Sequence, residues 1–309
     1  MNHSATIPRI LLIGHDGQVG LQLQACLQSV GQVITAGVPM TLTPMLSLDL
    51  TDHQNIRQVV DEVKPDIIVN AAAYTAVDKA ESNIELATAI NAIAVGILAE
   101  QAKKHGALLV HYSTDYVFNG NQKQPYRENM MTDPRSVYGE TKLAGEQAIS
   151  MVGCQHLILR TAWVYGLYGH NFLLTMQRLA QQHDELRVVA DQFGSPTWSF
   201  TIAQVTSQLL SQWQSPLIQD KKSDLYGIYH LTSTGSTHWA AFAQAIMDNL
   251  PKPAKVTEIT TADYPTPAQR PAYSVLDTRK LQQTFGIHLP DWRTALDVCL
   301  SLRQSKSQH

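Results

Sequence analysis

Tyr138 and Lys142 stand four residues apart in Val137-Tyr138-Gly139-Glu140-Thr141-Lys142. On a helix, that spacing puts both side chains on one face. A phenol titrates at roughly 10, too high to exchange a proton easily at neutral pH. A neighbouring ammonium and a place in the first helical turn both favour the phenolate. The pair can therefore act on a proton, and the lysine can also bond a ribose hydroxyl. The bland alternative is a solvated helix face. Thr114 argues against it. Its hydroxyl follows the apolar run Ala107–His111 in Tyr112-Ser113-Thr114-Asp115, where it can donate to a substrate carbonyl beside the tyrosine.

A second constellation lies near the start. Gly14, Gly17 and Gly20 form GxxGxxG in Gly14-His15-Asp16-Gly17-Gln18-Val19-Gly20, directly after the aliphatic run Arg9–Ile13. Gly14 permits a tight strand-to-helix turn, Gly17 a close approach of backbone to a pyrophosphate, and Gly20 close packing of helix on sheet. The helix start adds unpaired N–H groups for the anion. Asn70-Ala71-Ala72-Ala73 ends another apolar run, with small side chains that leave room for a dinucleotide. The usual acid that holds the adenosine ribose is missing from Thr35-Ala36-Gly37-Val38. No Arg or Lys stands between Arg9 and Arg57 to hold a 2′-phosphate. NADH and NADPH both stay open. Asn91 is polar within a long apolar helix, where it either reaches the site through a water or caps.

These groups need a scaffold. Strand-like runs at Arg9–Ile13, Gln32–Ala36, Asp66–Asn70, Ala107–His111 and Gln155–Leu159 alternate with helical stretches. Those stretches are His53–Val63, Asn83–His105 (with Gly106 as its C-cap) and Val137–Met151. Strands apolar throughout suit a parallel sheet covered on both faces. The fold class is α/β, with a Rossmann-type doubly wound parallel sheet and a smaller α/β substrate-binding lobe. The expected division is 1–160 for the dinucleotide. Residues 161–309 mainly form the substrate lobe, with the chain crossing back, short helices and a polar, frayed tail from Ser301.

The 309 residues carry 23 basic and 26 acidic side chains, a net charge of −3. That balance speaks against nucleic acid as a partner. No run reads as a membrane span, and Met1–Pro8 lacks the apolar core of a signal peptide. Cys26, Cys154 and Cys299 fit neither a metal spacing nor a disulfide framework. They indicate a reducing, cytoplasmic setting.

Taken together, these motifs resemble the extended short-chain dehydrogenase/reductase superfamily, and within it the dTDP-4-dehydrorhamnose reductases. The resemblance runs over nearly the whole chain. Beyond the stretches above, it rests on Tyr74-Thr75-Ala76-Val77-Asp78-Lys79-Ala80-Glu81, Arg160-Thr161-Ala162-Trp163-Val164-Tyr165, Asp191-Gln192-Phe193-Gly194-Ser195-Pro196-Thr197 and Tyr264-Pro265-Thr266-Pro267-Ala268-Gln269-Arg270-Pro271. It implies that Thr114, Tyr138 and Lys142 are catalytic. It implies cofactor contacts from Gly17, Gln18, Val19, Gly20, Ala71, Ala72 and Ala73. Asp49 and Leu50 would flank the adenine, with Asp49 accepting from its amine. Thr114, Asp115 and Trp163 would touch the sugar, and Asn171, Phe172 and Arg270 would line the nucleotide-sugar pocket. The implied reaction is NAD(P)H-dependent reduction of the C4 ketone of a dTDP-sugar, with Lys142 lowering the tyrosine pKa. Some members hold Mg2+ between two subunits with carboxylates. No acidic cluster matches here, so the metal and a homodimer stay open.

Two rival readings remain. A sugar-nucleotide dehydratase or epimerase shares the fold, but related dehydratases carry an Asp-Glu pair where Asp115 is followed by Tyr116. Net consumption of NAD(P)H would exclude an epimerase. The regulatory β subunit of methionine adenosyltransferase resembles these reductases and acts as a binding partner. The intact Thr114, Tyr138 and Lys142 disfavour that role, and copurification with a partner enzyme without NAD(P)H oxidation would favour it.

Overall fold

The computed structural model describes residues 7–38, 45–215 and 222–306. In the first half, β1 (Arg9–Ile13) leads through the glycine loop into α1 (Gln18–Cys26). Then come β2 (Gln32–Gly37), β3 (Leu46–Ser47), α2 (His53–Val63) and β4 (Ile67–Asn70). Short helices α3 (Val77–Ala80) and α4 (Ile84–Thr88) precede α5 (Ala94–His105). β5 (Leu108–Thr114), α6 (Val137–Val152) and β6 (His156–Thr161) follow.

The second half opens with β7 (Val164–Tyr165), α7 (Phe172–Gln182), β8 (Glu185–Val189), β9 (Phe193–Gly194) and β10 (Thr197–Trp198). It continues with α8 (Ser199–Gln214), β11 (Gly227–His230), β12 (Thr237–His238), α9 (Trp239–Met247) and β13 (Lys255–Ile259). α10 (Arg279–Phe285) and α11 (Trp292–Lys306) complete it. The tail expected to fray from Ser301 is helical to Lys306, and 307–309 lie outside the described residues.

Seven parallel strands form one sheet in the order β11-β6-β5-β4-β1-β2-β3. Alternate residues of each strand feed opposite cores. Ile10, Leu12, Val69, Val110 and Leu159 pack with α1 and α8 residues such as Leu23, Ile202 and Leu209. Leu11, Ile13, Ile68, Leu109 and Ile158 pack with α2 and α5 residues such as Ile56, Val60 and Leu98. A third core joins α7, α9 and α11 beside the parallel pair β8 and β13. The second half also returns to the sheet, because β11 pairs with β6 and α8 packs on α1.

Two sequence expectations need correction. The helix expected over Asn83–His105 contains a π-turn at Ala89–Ile93, and Gly106 at φ +67° caps its end as expected. Ile84–His105 is also long and apolar enough to cross a membrane, contrary to the reading that no run qualifies. Part of its apolar surface is used internally: Ala94, Val95, Leu98, Ala99 and Ala102 are buried and α5 packs between α2 and α6, whereas Ile84, Leu86 and Ile93 are exposed.

Candidate active site

Thr114 ends β5 at the carboxyl edge of the sheet, in register with Thr161 of β6. Its Oγ1 accepts from the Tyr116 amide at 3.1 Å and donates to Asp115 Oδ1 at 3.0 Å. Tyr138 lies in the first turn of α6. Ser136 caps that turn by accepting from the Gly139 amide at 3.2 Å. Gly139 is required there, because a Cβ would stand 2.3 Å from the Tyr116 carbonyl oxygen. This close approach fixes the helix start against the loop after β5. The Tyr116 and Tyr138 rings meet edge to face, 5.5 Å between centroids.

Lys142 lies one turn further along α6 and is 2% exposed. Its Nζ donates to the Tyr112 carbonyl at 2.6 Å and lies 3.3 Å from His111 Nε2. Burial lowers the lysine to about 8, with Glu146 pulling the other way. The expectation that Lys142 depresses the tyrosine is not met in this arrangement. Burial pushes the Tyr138 phenol up to about 12, a Thr114 hydrogen bond opposes that, and the Asp115 charge adds to it. The lysine nitrogen is engaged by Tyr112 and His111 instead. Asp115 is itself 2% exposed. Burial raises its carboxyl to about 6, with the Ser274 and Thr114 hydroxyls countering. Its Oδ2 has no hydrogen-bond partner among the described residues.

The glycine loop forms a cradle. Gly14 has φ +78°, and a Cβ there would lie 2.5 Å from the Ala72 amide nitrogen. A Cβ on Gly20 would lie 1.9 Å from the Gly14 carbonyl oxygen. Gly17 differs, since a Cβ there would meet only Gly14 O at 3.5 Å. Among the described residues nothing else stands within 4 Å on that side, and no side chain caps the α1 N-terminus. Backbone N–H groups at this uncrowded helix start suit a diphosphate. Ala71 to Ala73 continue from β4 beside it, with the Ala71 amide donating to the Ile13 carbonyl at 2.9 Å. Asp49 is exposed and follows β3; its Oδ1 accepts from the Thr51 amide and hydroxyl at 2.8 and 2.7 Å. Leu50 belongs to the core under α2.

Two residues beyond β6, Trp163 adopts φ +48°, an uncommon conformation for a bulky residue. Its ring stacks on Trp239 at 3.5 Å and presses on Gly194, where a Cβ would lie 2.4 Å away. Phe172 packs against Trp239 at 4.7 Å. A cavity of about 610 Å³ opens beside them, lined by Phe172, Gln192, Trp239, Tyr264, Thr266 and Arg270 among others. Arg270 reaches across to α3, bonding Asp78 at 3.1 and 2.8 Å and holding that carboxyl below its ordinary range. Asn171 does not line this cavity. It caps α7 by accepting from the Leu174 amide at 3.1 Å, and its Nδ2 donates to Gln18 Oε1, Gly166 O and Tyr168 O.

The model of the family described as RmlD substrate binding domain matches residues 8–304. A dTDP-4-dehydrorhamnose reductase of Burkholderia thailandensis is 43% identical over 302 residues, covering 94% of this chain and 98% of the relative. One from Escherichia coli is 43% identical over 298 residues, covering 94% and 97%. The chain belongs to the dTDP-4-dehydrorhamnose reductase family. A solved reductase from Bacillus anthracis in complex with NADP superposes with a TM-score of 0.85 at 35% identity, covering 95% and 99%. The chain is an oxidoreductase of this family with its Rossmann-like sheet.

Within this reductase the structure brings Thr114, Asp115 and Tyr138 together, with Lys142 one turn behind. It sets the glycine cradle along the same sheet edge, with Trp163 just beyond β6, while Phe172 and Arg270 line the cavity and Trp163 does not. Tyr116, Trp239 and the Asp78 clamp on Arg270 are additions to the expected site residues. Asp78 and Tyr116 stand in the quoted motifs, so their signal was present, but Trp239 has none. Asn91 is no water-mediated reach into the site. It is buried in the π-turn and clamps Tyr74 from both sides, at 2.9 and 3.1 Å, with a third bond to Thr141. Among the described residues, no three His, Cys, Asp or Glu side chains gather as metal ligands.

Proposed function

We propose that this chain reduces the C4 ketone of dTDP-4-dehydro-β-L-rhamnose to dTDP-β-L-rhamnose with NADPH or NADH, the last step in making activated rhamnose. The observation that carries this is the convergence of Thr114 and Tyr138 at the sheet edge that also holds the open Gly17 cradle. The family's named activity and the NADP complex of a relative support it. In this reading residues 1–160 hold the dinucleotide and 161–309 mainly shape the sugar pocket.

Gly14, Gly17, Gln18, Val19 and Gly20 would take the pyrophosphate, with Ala71 to Ala73 alongside and Asp49 and Leu50 near the adenine. The Gly17 side and the uncapped α1 N-terminus fit that group. When bound, the reduced nicotinamide supplies the hydride for the ketone. Tyr138 gives its proton to the C4 oxygen. Its high pKa keeps it protonated and ready to donate at neutral pH. Thr114 hydrogen-bonds the same oxygen, where negative charge grows. Lys142 holds the nicotinamide ribose. Asp115 and Trp163 position the sugar. Phe172 and Arg270 line the nucleotide side, and Asn171 acts on it by fixing α7. The three cysteines, none in a disulfide, suit a reducing cytoplasm.

The test supplies dTDP-4-dehydro-β-L-rhamnose to the purified protein and follows NADPH and NADH oxidation separately. Oxidation of at least one is expected, and Tyr138→Phe should lose about 10²–10⁴-fold in kcat. No oxidation of either cofactor overturns the assignment.

A further inference from the structure

His111 is fully buried beside Lys142 and has no part in the chemistry above. It stands on β5 in register with Asn70 on β4. Each ring nitrogen faces a nitrogen. Asn70 Nδ2 lies 3.2 Å from Nδ1, and Lys142 Nζ lies 3.3 Å from Nε2. A neutral imidazole has one N–H and one acceptor nitrogen. The second proton of an imidazolium is excluded, because burial alone, the leading cause, holds His111 below its ordinary value and both ring nitrogens face potential donors.

The Asn70 amide decides which nitrogen carries the proton. Its Oδ1 accepts from the backbone N–H of Ala72 at 3.2 Å. A backbone amide only donates, so turning the side chain would set two donors against each other. Asn70 therefore donates to His111 Nδ1, and the ring proton sits on Nε2, aimed at Lys142. An ammonium offers three donors and no acceptor. A neutral amine offers a lone pair to that N–H and still donates to the Tyr112 carbonyl.

We infer that the chain Ala72, Asn70, His111 favours the neutral amine of Lys142 in the cofactor-free protein and so lowers the pH at which it discharges, making Asn70 and His111 positioning residues that set when the lysine takes up its proton. Uptake of a proton from solvent then requires the His111 proton to move from Nε2 to Nδ1 and the Asn70 amide to turn, with loss of the Ala72 bond. The lowered lysine pKa acts in the same direction. Of the charged groups near Lys142, Glu146, one turn on, pulls the other way while itself held by Arg160 at 2.9 and 2.6 Å and by Ser113 at 2.5 Å. Tyr138, one turn back, is neutral. The inference rests on the proposed function only in treating Lys142 as the partner of Tyr138.

The test is spectroscopic and independent of turnover. In cofactor-free protein with ¹⁵N-labelled histidine, held alkaline enough to discharge a lysine of this pKa, His111 should show a protonated Nε2 and a lone pair on Nδ1. A protonated Nδ1 overturns the inference. Asn70→Asp supplies a carboxylate that accepts from both the Ala72 amide and His111 Nδ1. It should move the ring proton to Nδ1 and raise Lys142 by about one to three pH units, with the basic limb of the kcat/KM profile moving likewise. A rise in Lys142 without the tautomer change would reflect added charge alone and overturn the chain. If Asn70→Asp does not fold, the wild-type tautomer decides. A protein that fails to reduce the dTDP-sugar yet shows the tautomer refutes the proposed function and leaves this inference standing.

Discussion

Asp115→Asn should make this reductase more stable and less active. Burial carries the carboxyl from 3.8 to about 6, and about two pH units correspond to about 3 kcal/mol against the ionised form. The sign follows from proton counting. A carboxyl raised by folding binds more protons folded than unfolded between those two values. Stability therefore falls as pH climbs through the window, and the cost is complete above it. Asparagine keeps an oxygen to accept from Thr114 and carries no charge. Its N–H₂ replaces Oδ2 and needs an acceptor, for which the Ser274 hydroxyl is the nearby candidate; about 1–2 kcal/mol is lost if it does not accept. The net gain is then about 1–3 kcal/mol at pH 7.5, and at pH 4 it falls to between about zero and a loss of about 1–2 kcal/mol. Urea unfolding at both pH values measures it, and the KM for the sugar should rise together with the stability. A variant no more stable than wild type at pH 7.5, or equally stabilised at both pH values, would refute the reasoning.

The buried ion pair beneath the site makes a second case. Glu146→Ala leaves Arg160 uncompensated, with the paired side chains only 3% and 2% exposed; urea unfolding should show a loss of about 3–5 kcal/mol. Gly20→Ala drives a Cβ into the Gly14 carbonyl and should abolish folding, whereas Gly17→Ala should fold with wild-type circular dichroism and lose NADPH affinity by fluorescence titration. Arg270→Met should raise the KM for the dTDP-sugar with little change in kcat, and the partly exposed pair with Asp78 should cost no more than about 1 kcal/mol in thermal unfolding.

The motifs made the site readable because its residues come from chain segments of strong local character. Gly14 to Gly20 join an apolar strand to a helix, and Tyr138 and Lys142 share one helical face. What escaped the sequence is what depends on distant segments. β3 is two residues long, and β11 reads Gly-Ile-Tyr-His, too short and too mixed to register as a buried strand. The π-turn at Ala89–Ile93 adds a residue to an otherwise regular periodicity, which turns Asn91 inward and leaves Ile93 45% exposed. Glu146 and Arg160 look like ordinary surface charges 14 positions apart; only the pairing of β5 with β6 brings Ser113 and Arg160 side by side under α6. The expected effect of Lys142 on Tyr138 failed for a related reason. Spacing along a helix places two side chains on one face but says nothing about the Tyr112 carbonyl and the His111 ring waiting on the neighbouring strand.

The return of β11 to the sheet bears on how such a chain can be cut or recombined. A fragment ending near Thr161 would turn β6 into an edge strand. Its Leu157-Ile158-Leu159 run, now paired on both sides, would present a bare row of N–H and C=O groups to other copies. Without α8, the apolar side of α1 would lose its cover as well. The two halves are thus not exchangeable modules. A gene that traded its sugar-facing part for another would have to carry the last strand and its covering helix along with it.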